Sequence, residues 1–98
     1  MSARKHILVV DGDPEWRQRI AESLAGPQAE LKALAGGREA FAYATREKPD
    51  LVVTELMLPE LSGLGLCRLL REDAALGQTG VVMVTGHASE IDRILAFE

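Results

Sequence analysis

The chain has 98 residues, 47% of them hydrophobic and 27% charged, which is enough apolar content for one small folded domain and too much for a disordered segment. Eleven Lys and Arg against 15 Asp and Glu leave a net charge of −4, which argues against the clustered positive surface that nucleic-acid phosphates require. The single cysteine, Cys67, excludes an internal disulfide framework and a multi-cysteine zinc site; no apolar run approaches the ~18 residues of a membrane span, so a cytoplasmic protein is expected.

Glycine and proline divide the chain into pieces of strand and helix length. His6 to Val10 is a continuous aliphatic run, the pattern of a strand buried on both faces of a parallel sheet. It stops at Asp11, Gly12, Asp13 and Pro14. Proline suits a first helical turn, and Trp16, Ile20 and Leu24 follow at four-residue spacing with Arg17, Arg19 and Glu22 on the other side, so a helix is expected to about Ala25. Ala29 to Leu34 alternates weakly and reads as an edge strand, and Gly36-Gly37 turns the chain into a second helix from about Arg38 to Lys48, buried through Ala40, Phe41 and Ala44. Leu51 to Glu55 is the next apolar strand. Ser62 caps a third helix, Gly63 to about Asp73, whose Leu66, Leu69 and Leu70 share a face. Val81 to Thr85 is a fourth strand ending at Gly86, and Ser89 is read as the cap of a last helix containing Ile91, Ile94 and Leu95. The order βαβαβαβα predicts an α/β fold: a doubly wound parallel sheet with helices on both faces.

Open parallel sheets bind ligands at the carboxyl ends of their strands. Those ends collect Asp11 and Asp13, then Thr54 and Glu55, then Thr85 with His87. Carboxylates facing one crevice repel unless a cation neutralises them, which suits Mg²⁺ and its oxygen ligands. Any one of these aspartates is equally well explained as a turn or cap residue. Trp16 reads as packing at the rim of the acidic pocket, His87 as a solvated loop residue and Cys67 as a small core residue. Gly36-Gly37 is a turn, since the phosphate-loop pattern is absent.

The stretches ILVVDGDPEWRQRIAESL, PDLVVTELMLPELSGLGLCRLLRED and VVMVTGHA, in this order and spacing, resemble the receiver domain of bacterial two-component response regulators over nearly the whole chain. The middle block is the most specific, with Glu55, Leu58, Pro59, Leu61, Ser62 and Gly63 on the family's frame. The resemblance implies a flavodoxin-like fold, of which residues 1–98 supply the (βα)4 portion of a (βα)5 receiver. It also implies an aspartate phosphorylated by a histidine kinase at the end of the third strand, Mg²⁺ held by an acidic pair after the first, a switch hydroxyl ending the fourth and a lysine after the fifth. Carried over by position, Asp11 is the first acid of the pair and Gly12 stands where the second belongs. Asp13 is a weak substitute acting through water, and Glu55 occupies the acceptor position. The metal-binding carbonyl falls on Met57, the switch hydroxyl on Thr85, and the small residue after it on Gly86. The site lysine has no counterpart.

A glutamate sets its carboxylate one C–C bond, roughly 1.5 Å, farther out than an aspartate, and phosphoryl transfer depends on positioning. The expectation is a pseudo-receiver, not an enzyme, with weakened Mg²⁺ binding and no ordinary phosphorylation, in which Glu55 partly mimics the phosphorylated state toward Thr85. It works by contact with protein partners, a histidine kinase or a downstream output protein, without nucleic acid or membrane. Two alternatives stay open: a conventional Mg²⁺-dependent phosphoacceptor, and a haloacid-dehalogenase-like phosphohydrolase, whose first motif LVVDGD resembles with Asp11 as nucleophile. If the 98 residues are a whole protein, the 81–85 strand is a bare edge and, with the 89–97 helix, a site of self-association; if they are a piece of a longer regulator, a fifth strand and helix follow.

Overall fold

The structure, a computed structural model, describes residues 4–85 and 93–97, with side chains for residues 4–84. Its elements run β1 (Lys5–Val10), α1 (Pro14–Leu24), β2 (Ala29–Leu34), α2 (Gly37–Glu47), β3 (Leu51–Glu55), α3 (Gly63–Glu72), β4 (Gly80–Thr85) and β5 (Arg93–Phe97). The first seven lie within one residue of their expected bounds. One sheet holds all the strands in the order β2-β1-β3-β4-β5, and β1 to β4 are mutually parallel where they pair. β2 is an edge, as its weak alternation predicted.

Successive strand residues point to opposite faces, so the aliphatic runs of β1 and β3 feed two cores at once. On one face Leu8, Val10, Val52, Val81 and Met83 pack with Ala40 and Ala44 of α2 and Leu66, Cys67 and Leu70 of α3. On the other, Ile7, Val9 and Val53 meet Ile20 and Leu24 of α1. The coverage is unequal: α2 and α3 bury residues fully and α1 buries none. Beside α1 an open groove of about 290 Å³ runs over Leu51, Val53, Val82 and Val84, with Trp16 and Ile20 on its rim.

Two of the expectations for the end of the chain are corrected. Residues 93–97, expected within a helix from Ser89, form β5 instead, antiparallel to β4 in the register Val81↔Phe97 to Thr85↔Arg93. Ser89, Ile91 and the rest of 86–92 lie outside the described residues. A short apolar run such as Ile94 to Phe97 carries no periodicity that separates helix from strand, and the hydrogen-bonding groups along β4 decide it. β4 is consequently not a bare edge, and the expected route to self-association through the 81–85 strand and an 89–97 helix falls with it. Being antiparallel, β5 is also not the parallel fifth strand that the family resemblance implies.

Candidate functional site

The site lies where β1, β3 and β4 end. Val10 pairs with Thr54, so the next step of that register sets Asp11 beside Glu55; Glu55 pairs in turn with Val84, the neighbour of Thr85. The sheet therefore brings Asp11, Glu55 and Thr85 to one rim from three adjacent strands. Thr54, one residue earlier, faces the other side of the sheet and donates its hydroxyl to the Glu55 carbonyl (3.0 Å). Gly86 and His87 lie outside the described residues, and the Thr85 side chain is outside the described side chains.

Asp11 and Glu55 are 1% and 3% exposed, so both carboxyl groups are held by protein and not by bulk water. Asp11 Oδ1 accepts the amide of Asp13 (2.9 Å). Glu55 Oε2 accepts the amide of Met57 (3.0 Å), which folds the longer side chain back onto its own loop. Asp13 is differently engaged. Its Oδ1 accepts the amides of Glu15 (2.9 Å) and Trp16 (3.4 Å), making it the N-cap of α1, worth about 1 kcal/mol to the helix. Asp13 is thus the cap that the turn reading of these aspartates expects, while Asp11 is buried at the rim and holds the amide two residues on.

Gly12 sits at the mouth. A Cβ built there meets Ala35 O at 3.7 Å and Pro59 Cδ at 3.9 Å, ordinary contacts, so the position has room for a side chain. The loop after β3 closes through Gly63 N–H to Leu56 O (2.9 Å) and Leu61 N–H to Pro59 O (2.7 Å), and leaves Met57 78% exposed over the rim. Ser62 Oγ accepts the Gly65 amide (3.1 Å), the expected cap of α3. Gly63 is required by packing: a Cβ there would collide with the Glu55 carbonyl oxygen and stand 3.1 Å from Leu56 Cα. The glycine lets α3 start directly against the strand that ends in Glu55.

One residue of the site was placed differently by the sequence. Arg17, assigned by periodicity to the polar side of α1, is half-buried and donates from Nη1 to the Asp11 carbonyl at 2.8 Å. The available signal was its position one helical turn past the Asp13 cap, from which a side chain leaning toward the helix N-terminus reaches the end of β1. Trp16 lies with Ile20 along the apolar groove, in keeping with a packing role.

Among the described residues no group of three or more His, Cys, Asp or Glu side chains is arranged to hold a metal ion. The donor chemistry is still that of a hard cation: two buried carboxyl groups and a loop carbonyl suit Mg²⁺, which commonly takes one or two carboxylates and keeps several waters. Glycine at position 12 withholds the next carboxylate.

The model of the response regulator receiver domain matches residues 7–98. The chain belongs to this family. The match includes the Leu58 to Gly63 frame. The DNA-binding response regulator MtrA of Mycolicibacterium smegmatis is 34% identical over 95 residues, 97% of this chain and 40% of that protein. The alkaline phosphatase synthesis transcriptional regulatory protein PhoP of Bacillus subtilis is 33% identical over 94 residues, 96% of this chain and 38% of that protein. The receiver chain thus spans about two fifths of the length of these curated relatives. Among solved structures, the chemotaxis response regulator CheY4 of Vibrio cholerae matches with a TM-score of 0.77 and 25% identity, covering 83% of this chain and 68% of that one. No helix among the described residues is long and apolar enough to cross a membrane.

Proposed function

We propose that this receiver domain transmits signals by protein contact without the ordinary phosphoaspartate chemistry, as a cytoplasmic pseudo-receiver facing a histidine kinase or an output protein. One observation carries the reading: the acceptor position holds Glu55, a buried glutamate whose Oε2 is tied to the Met57 amide. A carboxylate displaced by one C–C bond and turned onto its own loop is poorly placed for in-line attack on a phosphoryl donor. Gly12 compounds the loss, since Mg²⁺ would rest on Asp11, Glu55 and the Met57 carbonyl alone, with Asp13 committed to its cap. When bound, the ion would neutralise charge on an incoming phosphoryl group.

Glu55 also supports a standing, partial imitation of the phosphorylated state, with one negative charge at the rim against roughly two for a phosphate. Signalling output would then be set by the abundance of the chain or its partner. Incubation with acetyl phosphate and Mg²⁺, followed by intact mass, is the direct test, and an unchanged mass is expected. A hydroxylamine-labile gain of one phosphoryl group would establish the conventional phosphoacceptor reading instead.

A further inference from the structure

We infer that Arg17 is the resident counter-cation of the acidic rim, set to oppose a divalent cation there. The inference rests on the reading that Asp11 and Glu55 face such a cation. Arg17 Nη1 lies 2.8 Å from the Asp11 carbonyl oxygen. The few bonds between that oxygen and the carboxyl carbon of the same residue then hold the guanidinium within roughly 7 Å of the Asp11 carboxyl group.

Surroundings separate Arg17 from its neighbours. Arg19, two residues along α1, is 62% exposed; it lies over the Trp16 ring and pairs at 3.5 Å with Glu15, itself 75% exposed, an ion pair that solvent screens. Arg17 is half-buried, so its field at the rim is screened less. The lysines stand elsewhere: Lys5 opens β1 at the opposite end of the sheet, Lys32 lies over the Tyr43 ring, and Lys48 closes α2 before β3 begins. Arg17 itself contacts the main-chain carbonyl of Asp11, the residue whose carboxyl group stands at the rim beside Glu55. Among the described residues, Arg17 is the cation hydrogen-bonded to the loop that carries Asp11 and Asp13.

The guanidinium belongs to the chain itself, so this opposition needs no bound ligand. It offsets part of the charge that would otherwise draw a metal ion and allows two carboxyl groups to share the rim without one. Arg17 is in this sense a positioning residue, tuning the rim through its charge.

The test is Mn²⁺ binding followed by water-proton relaxation, with circular dichroism to confirm folding. Arg17→Gln keeps an N–H donor and removes the charge; a unit charge acting on a divalent ion at about 7 Å in a water-like dielectric corresponds to roughly fivefold to tenfold tighter Mn²⁺ binding. Arg17→Lys should restore the weak wild-type affinity, and Arg19→Gln should change it little. Folded Arg17→Gln protein that binds Mn²⁺ no more tightly than wild type overturns the assignment, as does an equal gain in Arg19→Gln, which would reduce the effect to net charge. Asp11→Asn separates the two readings: if it abolishes Mn²⁺ binding while Arg17→Gln has no effect, only the role of Arg17 fails. If it leaves binding intact, the metal reading of the rim fails too.

Discussion

Gly12 is the position where a single substitution should restore what the rim lacks. The added Cβ of an aspartate there would meet Ala35 O at 3.7 Å and Pro59 Cδ at 3.9 Å, both within normal contact, and glycine is not held there in a left-handed conformation. Gly12→Ala is accordingly expected to be neutral or to stabilise by about 0.4–1 kcal/mol, through the smaller entropy of the unfolded chain. Gly12→Asp adds a carboxylate to the rim that already holds Asp11 and Glu55. One further unit charge about 4 Å from a divalent ion in a water-like dielectric is worth about 2 kcal/mol, or roughly a thirtyfold gain in affinity. Water-proton relaxation with Mn²⁺ reads the affinity, and urea unfolding of the same samples reads the stability. The double variant with Glu55→Asp should then accept a phosphoryl group from acetyl phosphate, visible by intact mass. A stably folded Gly12→Asp protein with unchanged Mn²⁺ affinity would falsify the argument, because it would mean that position 12 does not face the cation.

Gly63→Ala forces a methyl group against the Glu55 carbonyl and Leu56 Cα, backbone atoms that cannot turn aside, and should cost about 1–3 kcal/mol in urea unfolding; an unchanged midpoint would contradict the packing described for α3. Lys48 ends α2 in the left-handed region at φ 49°, with its amide on Ala44 O, so Lys48→Gly should raise stability by about 0.5–1 kcal/mol, and a loss would show that the lysine side chain outweighs the strain. Tyr43 shares a 2.6 Å hydrogen bond with His6 Nε2, and burial, then Glu47 and Glu30, raise its pKa above 10.0 against the opposing Arg46. Its neutral form is the one the fold favours, so this contribution is fully present below the unfolded pKa and is lost as pH rises through the folded one. As Tyr43 is the only tyrosine, tyrosinate absorbance titrates it directly, and Tyr43→Phe should flatten the decline in stability at alkaline pH.

Much of this protein is local in origin. The aliphatic runs of β1, β3 and β4 are bounded by Asp, Gly and Pro and mark the inner strands of the sheet; Pro14 and Ser62 mark helix starts, and both lie where the chain says they should. The candidate site was legible for a related reason. In a parallel sheet, residues just past the apolar runs converge on one rim, so Asp11, Glu55 and Thr85 follow from the order of the strands.

Other features depend on partners distant in sequence. Asp11 and Asp13 are the same residue type two positions apart, yet one is buried at the rim and the other caps α1, a division set by which amides the backbone presents. Arg17 reads as a solvent-facing helix residue until the end of β1 is packed beside it. Residues 93–97 carry no period that distinguishes helix from strand, and the hydrogen-bonding edge of β4 makes them β5. Composition and pattern determined the α/β class, the parallel core and the residues at its rim, because burial and turn chemistry act over a few neighbours. The direction of Arg17, the work of Asp13 and the state of the last strand were decided by tertiary structure, because a polar group takes the partner that the fold brings within reach.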